Sequence, residues 1–262
     1  MGIVNVTPDS FSDGRAFSDT DQAVKHGLQM AADGAEILDV GGESTRPGSG
    51  EVPIDEEIRR VVPVIRGLVA QVDRPVSVDT RKPDVAYAAL EVGASIVNDV
   101  SAAADHAMFD VVREHGAGMV LMHMKGVPKT MQDDPQYDDV VHEVRDFLAD
   151  RIGAAVAAGV PRSQLCVDPG IGFGKNVDHN LVLLRSIGAF HELRLPVLVG
   201  PSRKRFIGTL TGVNDPVERV EGTAGAVAWC ASQRVDVVRV HDVLQMSHVV
   251  RVVDAIVRGA PA

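Results

Sequence analysis

The sequence predicts an α/β protein with the (β/α)8 architecture, the TIM barrel. Eight short apolar runs rich in β-branched residues alternate with longer stretches of helical period, as parallel strands alternate with crossover helices. Eight such units in 262 residues match the size of this barrel. An open doubly wound sheet is the alternative, but no glycine-rich dinucleotide fingerprint follows the first apolar run.

Each predicted strand is a short apolar run, and each predicted helix is the periodic stretch that follows it. The strands are Gly2–Val6, Glu36–Val40, Pro75–Val78, Ser95–Val97, Met119–Met122, Leu165–Val167, Pro196–Val199 and Asp236–Val240. The helices are Ser18–Asp33, Asp55–Val72, Pro83–Val92, Met108–His115, Asp138–Gly159, Asn180–Ala189, Val217–Gln233 and Asp242–Val257. Glycines 34, 93, 116 and 159 stand where helices should end. With no linker or low-complexity stretch between units, we expect one domain over residues 1–262.

Composition excludes several classes of protein. A hydrophobic fraction of 45% is too high for a disordered chain. A formal net charge of −10 argues against a nucleic-acid partner. No apolar run reaches the roughly 18 residues that span a bilayer, and the start lacks a signal-peptide pattern. The two cysteines, Cys166 and Cys230, lie in apolar surroundings and are interpreted as core residues in a reducing cytosol. We therefore expect a cytoplasmic protein without a membrane partner.

A polar residue stands at or shortly after the end of every predicted strand. In a barrel of this kind the carboxyl ends of the strands form one rim, where active sites lie. A single polar strand end is ordinary, since strand ends meet solvent, but eight of eight predict a small-molecule site. The residues in chain order are Asn5, Asp39, Asp79, Asn98, His123, Asp168, Lys204 and the pair Arg239 and His241.

The residue types at this rim indicate what the site binds. Two carboxylates, Asp79 and Asp168, and the amide of Asn98 suit a flat heterocycle with N–H donors and ring nitrogens. Arg239, His241 and Lys204 add positive charge near strands 7 and 8, where such barrels often bind phosphate. A surface ion-pair cluster is the alternative for these cations.

Three rim loops are rich in glycine or small polar residues. The loops 7–18 and 41–53 are candidates for lids, although some long loops are merely mobile. The third loop, from Asp168 to Lys175, reads DPGIGFGK. We expect its glycines to let the backbone and Phe173 approach a ligand, because a lone glycine loop is weak evidence for phosphate binding.

With these motifs in place, the chain resembles the dihydropteroate synthases of folate biosynthesis. NVTPDSFSDG from Asn5 and GAEILDVGGESTRP from Gly34 are similar to the two signatures of that family. The segments SVDT from Ser77, ND from Asn98, DPG from Asp168, SRK from Ser202 and RVHD from Arg239 follow in the family order. Together they span essentially the whole chain.

The resemblance implies a reaction and a role for each motif residue. The implied reaction joins 6-hydroxymethyl-7,8-dihydropterin diphosphate to para-aminobenzoate and releases pyrophosphate, and the implied assembly is a homodimer. The implied pterin ligands are Asp79, Asn98, Asp168 and Lys204. The residues implied to hold the diphosphate together with Mg²⁺ are Asn5, Arg239 and His241. The para-aminobenzoate site takes Thr45, Arg46, Pro47, Phe173 and the helix start after Lys204, and Asp13 lies on a loop that closes. The implied catalytic residues are Asp79, Asp168, Lys204 and Asp13.

The chemistry is consistent with these implied roles. Diphosphate leaves readily once Mg²⁺ and cationic side chains balance its charge, and one oxygen from Asn5 can complete a Mg²⁺ shell of phosphate and water. The expected substitution is dissociative, with no covalent enzyme intermediate. Two rivals are a pterin-dependent methyltransferase and a non-catalytic pterin-binding paralogue. For the homodimer, the last helix is apolar beyond one face, but burial against the barrel is an equal alternative.

Overall fold

A computed structural model of the chain describes residues 1–6, 16–44, 49–127 and 129–259, without the side chains of residues 16–19. Its strands are β1 (Gly2–Asn5), β2 (Leu38–Gly41), β3 (Val76–Asp79), β4 (Ile96–Asp99), β5 (Gly118–Met122), β6 (Leu165–Asp168), β7 (Leu198–Val199) and β8 (Val237–Val238). Its α-helices are α1 (Ala16–Ala32), α2 (Ile54–Val69), α3 (Pro83–Glu91), α4 (Ala107–His115), α5 (Val140–Ala157), α6 (Val177–Arg185), α7 (Gly188–His191), α8 (Arg205–Thr211), α9 (Val220–Ser232) and α10 (Val243–Arg258).

The strands form a closed ring. Strands β1 to β6 pair in parallel in chain order, and β7 pairs in parallel with β8. Parallel bridges complete the circle between Val167 and Val197 on one side and between Gly2 and Val240 on the other. The predicted (β/α)8 barrel is therefore confirmed, and all strand ends meet at one rim.

The helices cover the barrel because each buries one apolar stripe. In α2 the buried residues Val61, Val64, Ile65 and Leu68 repeat at the spacing of a helix face. Each such side chain contributes about 1.5–3 kcal/mol when it is fully buried. Four helices, α1, α3, α4 and α5, end within two residues of the predicted positions, where glycines 34, 93, 116 and 159 adopt positive φ, and α2 ends three residues before the predicted Val72. Among the described residues, no helix is long and apolar enough to cross a bilayer.

The chain departs from the predicted elements between β6 and β8. The helix expected over Asn180–Ala189 begins earlier, because the Asn176 side chain caps it, and it is split into α6 and α7. The seven-residue α8 was not predicted, because its sequence RFIGTLT contains a glycine and two threonines, which are weak helix formers. Strands β7 and β8 contain two residues each instead of the predicted four and five.

Candidate functional site

The strand register sets a polar row at the rim. Across β1 to β4, Asn5 pairs with Gly41, Gly41 with Asp79, and Asp79 with Asn98. Residues in register on neighbouring parallel strands project to the same side, so three predicted site residues lie side by side. Asp79 and Asn98 are buried, and Asn5 is half-buried. The prediction that strand ends converge is confirmed for these residues.

Arg239 crosses the barrel mouth from the end of β8. Its Nε donates to Oδ2 of Asp39 at 2.6 Å, and its Nη2 donates to Oδ2 of Asp79 at 2.5 Å. Nδ2 of Asn98 also donates to Oδ2 of Asp39, at 3.0 Å, which leaves the Asn98 amide oxygen as an acceptor. Arg239, which the sequence predicts to bind an anion, therefore also links β2 and β3 by binding the carboxylates of Asp39 and Asp79. Asp39, which the sequence places at the rim without a specific role, orients both Arg239 and Asn98.

Asp79 and Asp39 keep an acceptor each in this network. Among the described residues, Oδ1 of Asp79, Oδ1 of Asp39 and Oγ of Ser77 are buried without a hydrogen-bond partner. Burial raises the pKa of Asp79 to about 7, the nearby Arg239 opposes that rise, and the charge of Asp39 adds to it. Unpaired buried oxygens are costly, so this region favours a ligand that brings N–H donors.

Asp168 forms the opposite part of the rim, at the end of β6. Its Oδ1 accepts from the backbone N–H of Gly170 at 2.7 Å, and its carbonyl accepts from His123 N at 3.0 Å. Burial raises its pKa to about 6, while the Gly170 N–H, Lys204, Lys175 and Arg239 act to lower it. Asp168 is thus a buried carboxylate that retains its charge near neutral pH because three cations face it.

Lys204 and Phe173 meet over the β6–α6 loop. The ammonium of Lys204, just before α8, lies 4.0 Å from the centre of the Phe173 ring. Gly172 has φ +84°, and a Cβ there would lie 3.0 Å from Cδ of Lys204. The glycines in this loop therefore allow close approach to protein atoms, in addition to the predicted approach to a ligand. Lys204 and Phe173 are brought together as one wall of the site.

His241 is fixed by the loop between β7 and α8. Its Nδ1 lies 3.0 Å from Oγ of Ser202, which also accepts from the His241 backbone N–H. The next residue in this loop, Arg203, has φ +58° and is held by the carboxylate of Asp242, at 3.0 Å from its Nε, and by Oγ1 of Thr223, which accepts from its backbone N–H. This strained backbone sets the position of Lys204, and His241 and Arg239 stand near it at the end of β8.

A buried ion network secures both ends of the loop after β2. Nζ of Lys82 lies 2.7 Å from Oε2 of Glu43, 2.6 Å from Oε2 of Glu57 and 2.6 Å from the carbonyl of Val52. Burial would raise the pKa of Glu43, but the hydrogen bonds from Lys82 and from the Val52 N–H hold it below its usual value. The predicted residues Thr45, Arg46 and Pro47 of this loop, and Asp13 of the loop after β1, lie outside the described residues.

The predicted metal residue, Asn5, offers one oxygen at the rim. In the described ranges its side chain has no hydrogen-bond partner, so its amide oxygen is available. No group of three or more His, Cys, Asp or Glu in the same ranges could hold a metal ion by itself. A Mg²⁺ ion that takes its other ligands from substrate phosphates and water fits this donor set. A dedicated protein cage does not fit it.

This rim can be compared with known proteins. A family model described as "Pterin binding enzyme" matches residues 1–241. The chain belongs to the pterin-binding enzyme family. Dihydropteroate synthase of Escherichia coli K12 is 46% identical over 255 residues, which cover 97% of this chain and 90% of that protein.

Solved structures agree with this family membership. Xanthomonas albilineans dihydropteroate synthase with 4-aminobenzoic acid gives a TM-score of 0.93 at 49% identity, and the match covers 100% of this chain and 93% of that one. The same enzyme in complex with 7,8-dihydropteroate gives 0.90 at 46% identity, covering 100% and 94%. The resemblance and barrel predicted from the sequence are confirmed, and this family member is an enzyme, a transferase of the dihydropteroate synthase class.

Proposed function

We propose that the chain condenses 6-hydroxymethyl-7,8-dihydropterin diphosphate with para-aminobenzoate to give 7,8-dihydropteroate and pyrophosphate. The observation that carries the proposal is the combination of unpaired buried carboxylate oxygens with a cluster of cations at one rim. A ring with several N–H donors satisfies the first, and a diphosphate satisfies the second. A ring alone would leave the cations without an anion, and a diphosphate alone would leave the buried carboxylate oxygens without hydrogen-bond donors.

The pterin ring is assigned to Asp79, Asn98, Asp168 and Lys204. Oδ1 of Asp79 is an acceptor without a partner among the described residues, and Asn98 gives one N–H of its amide to Asp39, which leaves its amide oxygen to accept from the ring. Asp168 is buried and keeps one oxygen beyond the bond from Gly170. Carboxylates accept from paired N–H groups, as a heterocycle with an amino group beside a ring nitrogen presents them.

The diphosphate is assigned to Arg239 and His241, with Mg²⁺ held by Asn5. Arg239 donates Nε and Nη2 to carboxylates, so Nη1 is the guanidinium nitrogen that remains for an oxyanion. When it is bound, Mg²⁺ supplies a positive charge that makes the diphosphate a better leaving group. Arg239 and His241 stabilise the charge that develops on the departing oxygen.

The substitution is assigned a dissociative course. As the C–O bond breaks, the methylene carbon becomes positive, and the electron-rich dihydropterin ring delocalises that charge. Asp79 and Asp168, both buried at the rim, favour a positive ring next to them. The arylamine nitrogen then attacks the methylene carbon with its lone pair, and the proton that it loses passes to the departing pyrophosphate. An amine of this kind needs positioning more than activation, so no covalent enzyme intermediate is required.

Para-aminobenzoate is assigned to the wall formed by Phe173 and Lys204. The Phe173 ring offers an apolar face beside Lys204, and the helix start directly after Lys204 is assigned to the carboxylate. The X. albilineans relative was solved with 4-aminobenzoic acid, which supports this choice of second substrate. Thr45, Arg46, Pro47 and the catalytic role of Asp13 remain assignments from the family resemblance.

The test supplies the chain with the pterin diphosphate, Mg²⁺ and para-aminobenzoate and follows both products together. We expect dihydropteroate together with an equal amount of pyrophosphate, and no dihydropteroate when para-aminobenzoate is replaced by benzoate, which lacks the attacking amine. Asp168→Asn should lose most of the rate, whereas Asp236→Asn, just before the start of β8 and so away from the rim, should keep it. Tight pterin binding by the wild type without either product would overturn the proposal in favour of a non-catalytic pterin-binding paralogue.

We also propose that two copies of the chain associate through α9 and α10. These helices pack on each other and leave large apolar side chains exposed, among them Trp229, Leu244, Val252 and Ile256. Val252 and Ile256 are 61% and 77% exposed and lie one helical turn apart. Apolar residues in such a row favour burial against a partner, and the family resemblance implies that the partner is a second copy.

A further inference from the structure

Lys175 is a buried cation that the proposed reaction leaves unused. It ends the DPGIGFGK loop and is only 2% exposed. Its Nζ lies 2.9 Å from Nδ1 of His123, 2.9 Å from the carbonyl of Phe173 and 3.3 Å from the carbonyl of His123. The three N–H groups of an ammonium thus meet three acceptors. Burying a charge is costly even when it is paired, and a methionine would fill similar space without that cost.

His123 accepts one of these hydrogen bonds because it is neutral. Burial, reinforced by the charge of Lys175, lowers the pKa of His123 to about 3. The ring packs edge-on against Phe147, with 4.9 Å between ring centres. Packing therefore fixes the imidazole, and it presents Nδ1 to the lysine throughout the physiological pH range.

The loop that Lys175 holds is pressed against the end of β5. Gly170 has φ +69°, and a Cβ there would lie 1.9 Å from the carbonyl oxygen of His123. Gly174 has φ +62°, and its Cβ would lie 2.3 Å from the carbonyl oxygen of Lys125. The same loop supplies the N–H that binds Asp168 and carries Phe173. Lys175 therefore joins β5 to a loop that positions two predicted site residues.

Lys175 lies close to Asp168, because a Cβ at Gly170 would be 3.3 Å from Nζ of Lys175 and the Gly170 N–H binds Oδ1 of Asp168 at 2.7 Å, so the two residues also influence each other through charge. Burial lowers the pKa of Lys175 to about 7, Asp168 opposes that shift, and Lys204 and Lys125 add to it. Conversely, Lys175, Lys204 and Arg239 each act to keep Asp168 ionised against the effect of burial. Lys204 and Arg239 are assigned to substrates, so Lys175 is the one of these three cations that has no assigned substrate.

We propose that Lys175 is a positioning residue for ring binding: its ammonium fixes the β6–α6 loop and keeps Asp168 in the carboxylate form that accepts the N–H groups of the ring. The inference rests on the proposed function only in that it takes the bound ring to be the pterin. Lys175 touches neither substrate in this account and acts through Asp168 and Phe173.

The experiment measures the dissociation constant of 6-hydroxymethyl-7,8-dihydropterin, without diphosphate or turnover, from pH 5.5 to pH 9. Lys175→Gln removes the charge but keeps an amide that donates to the two carbonyls, and it is the variant expected to fold. Lys175→Met removes charge and hydrogen bonds together. Lys125→Met is the matched control, because that lysine is nearby but about half exposed.

We expect the charge to act only at the lower pH. Without Lys175 the Asp168 carboxyl gains its proton at higher pH, so ring binding is lost earlier as pH falls. A rise of about one pKa unit weakens binding about five-fold at pH 6, starting from the value of about 6 for Asp168. Above pH 8.5 Lys175→Gln should bind as the wild type does, because the wild-type lysine is itself mostly uncharged there.

Three outcomes would overturn the inference. They are superimposable pH curves for Lys175→Gln and the wild type, a weakening by the same factor at every pH, and an equal pH shift in Lys125→Met. If the wild type did not bind the pterin at any pH, the proposed function would fail instead, so the two failures are distinguishable. Lys175→Met should add a pH-independent weakening, and its failure to fold would leave Lys175→Gln as the deciding variant.

Discussion

Gly170 is the position at which one methyl group should damage the site most. Its φ of +69° lies in the left-handed region, which costs a residue with a side chain about 1–2 kcal/mol. In addition, the new Cβ would lie 1.9 Å from the carbonyl oxygen of His123, so the loop must move. Overpacking of this kind typically costs about 1–3 kcal/mol more. We therefore expect Gly170→Ala to lower the free energy of unfolding by about 2–5 kcal/mol.

Displacement of the loop in Gly170→Ala should also weaken binding of the pterin. The Gly170 N–H donates to Oδ1 of Asp168 at 2.7 Å, and displacing the loop lengthens that bond. The displaced Asp168 carboxylate would then be out of place for the ring, and one lost hydrogen bond between ring and carboxylate, worth about 1.5–3 kcal/mol, weakens pterin binding by at least about ten-fold. Stability and binding should therefore fall together.

Gly153→Ala provides the matched control. Gly153 lies within α5, and a Cβ there would meet nothing within 4 Å. The same substitution in an exposed helix should stabilise the chain by about 0.4–1 kcal/mol. Urea titration followed by the fluorescence of the single tryptophan, Trp229, compares the two variants. A loss below about 0.5 kcal/mol in Gly170→Ala would refute the steric argument, because the native loop would then tolerate a side chain.

Three further predictions concern charge and assembly. Binding of the pterin ring should weaken as pH falls from 8 to 5, because Asp79, with a pKa of about 7, and Asp168, with a pKa of about 6, lose their charge. Asp168 alone accounts for about ten-fold of this loss. In a fluorescence titration, Asp79→Asn should remove the step near pH 7. Lys82→Met should lower the free energy of unfolding by about 3–5 kcal/mol, because it leaves Glu57 buried and unpaired. Arg74→Met, which breaks an exposed ion pair, should lower it by less than about 1 kcal/mol in the same chemical denaturation. Equal losses in the two variants would contradict this prediction. Ile256→Glu should dissociate the dimer in sedimentation while Leu210→Glu should not, and a wild type that is monomeric at micromolar concentration would end the dimer proposal.

The strand ends could be predicted because they depend on local pattern. Short apolar runs rich in β-branched residues place the barrel strands, and the polar residue at or after the end of each run then lies at the rim whatever the details of packing. Asp79, Asn98 and Asp168 were found in this way, and their burial at the rim agrees with it. The short helix α8 was missed, because tertiary contacts rather than helix propensity hold it.

The partners of the rim residues could not be predicted, because they depend on which side chains meet across the barrel. Arg239 reaches Asp39 although 200 positions separate them in the chain. The burial of Lys175 likewise follows from the way its loop packs on His123, and a lysine after a glycine turn usually faces solvent. The sequence places Asp39 at the rim as a polar residue at the end of an apolar run, but its pairing with Arg239 depends on how the barrel closes.

The roles of the rim are tested most directly by a crystal structure of the chain with 6-hydroxymethyl-7,8-dihydropterin diphosphate and Mg²⁺. We predict the ring within hydrogen-bond distance of Asp79, Asn98 and Asp168, and the diphosphate against Arg239 and His241. A ring bound away from both carboxylates, or a diphosphate outside the reach of Arg239, would contradict the assignment of this rim to the reaction.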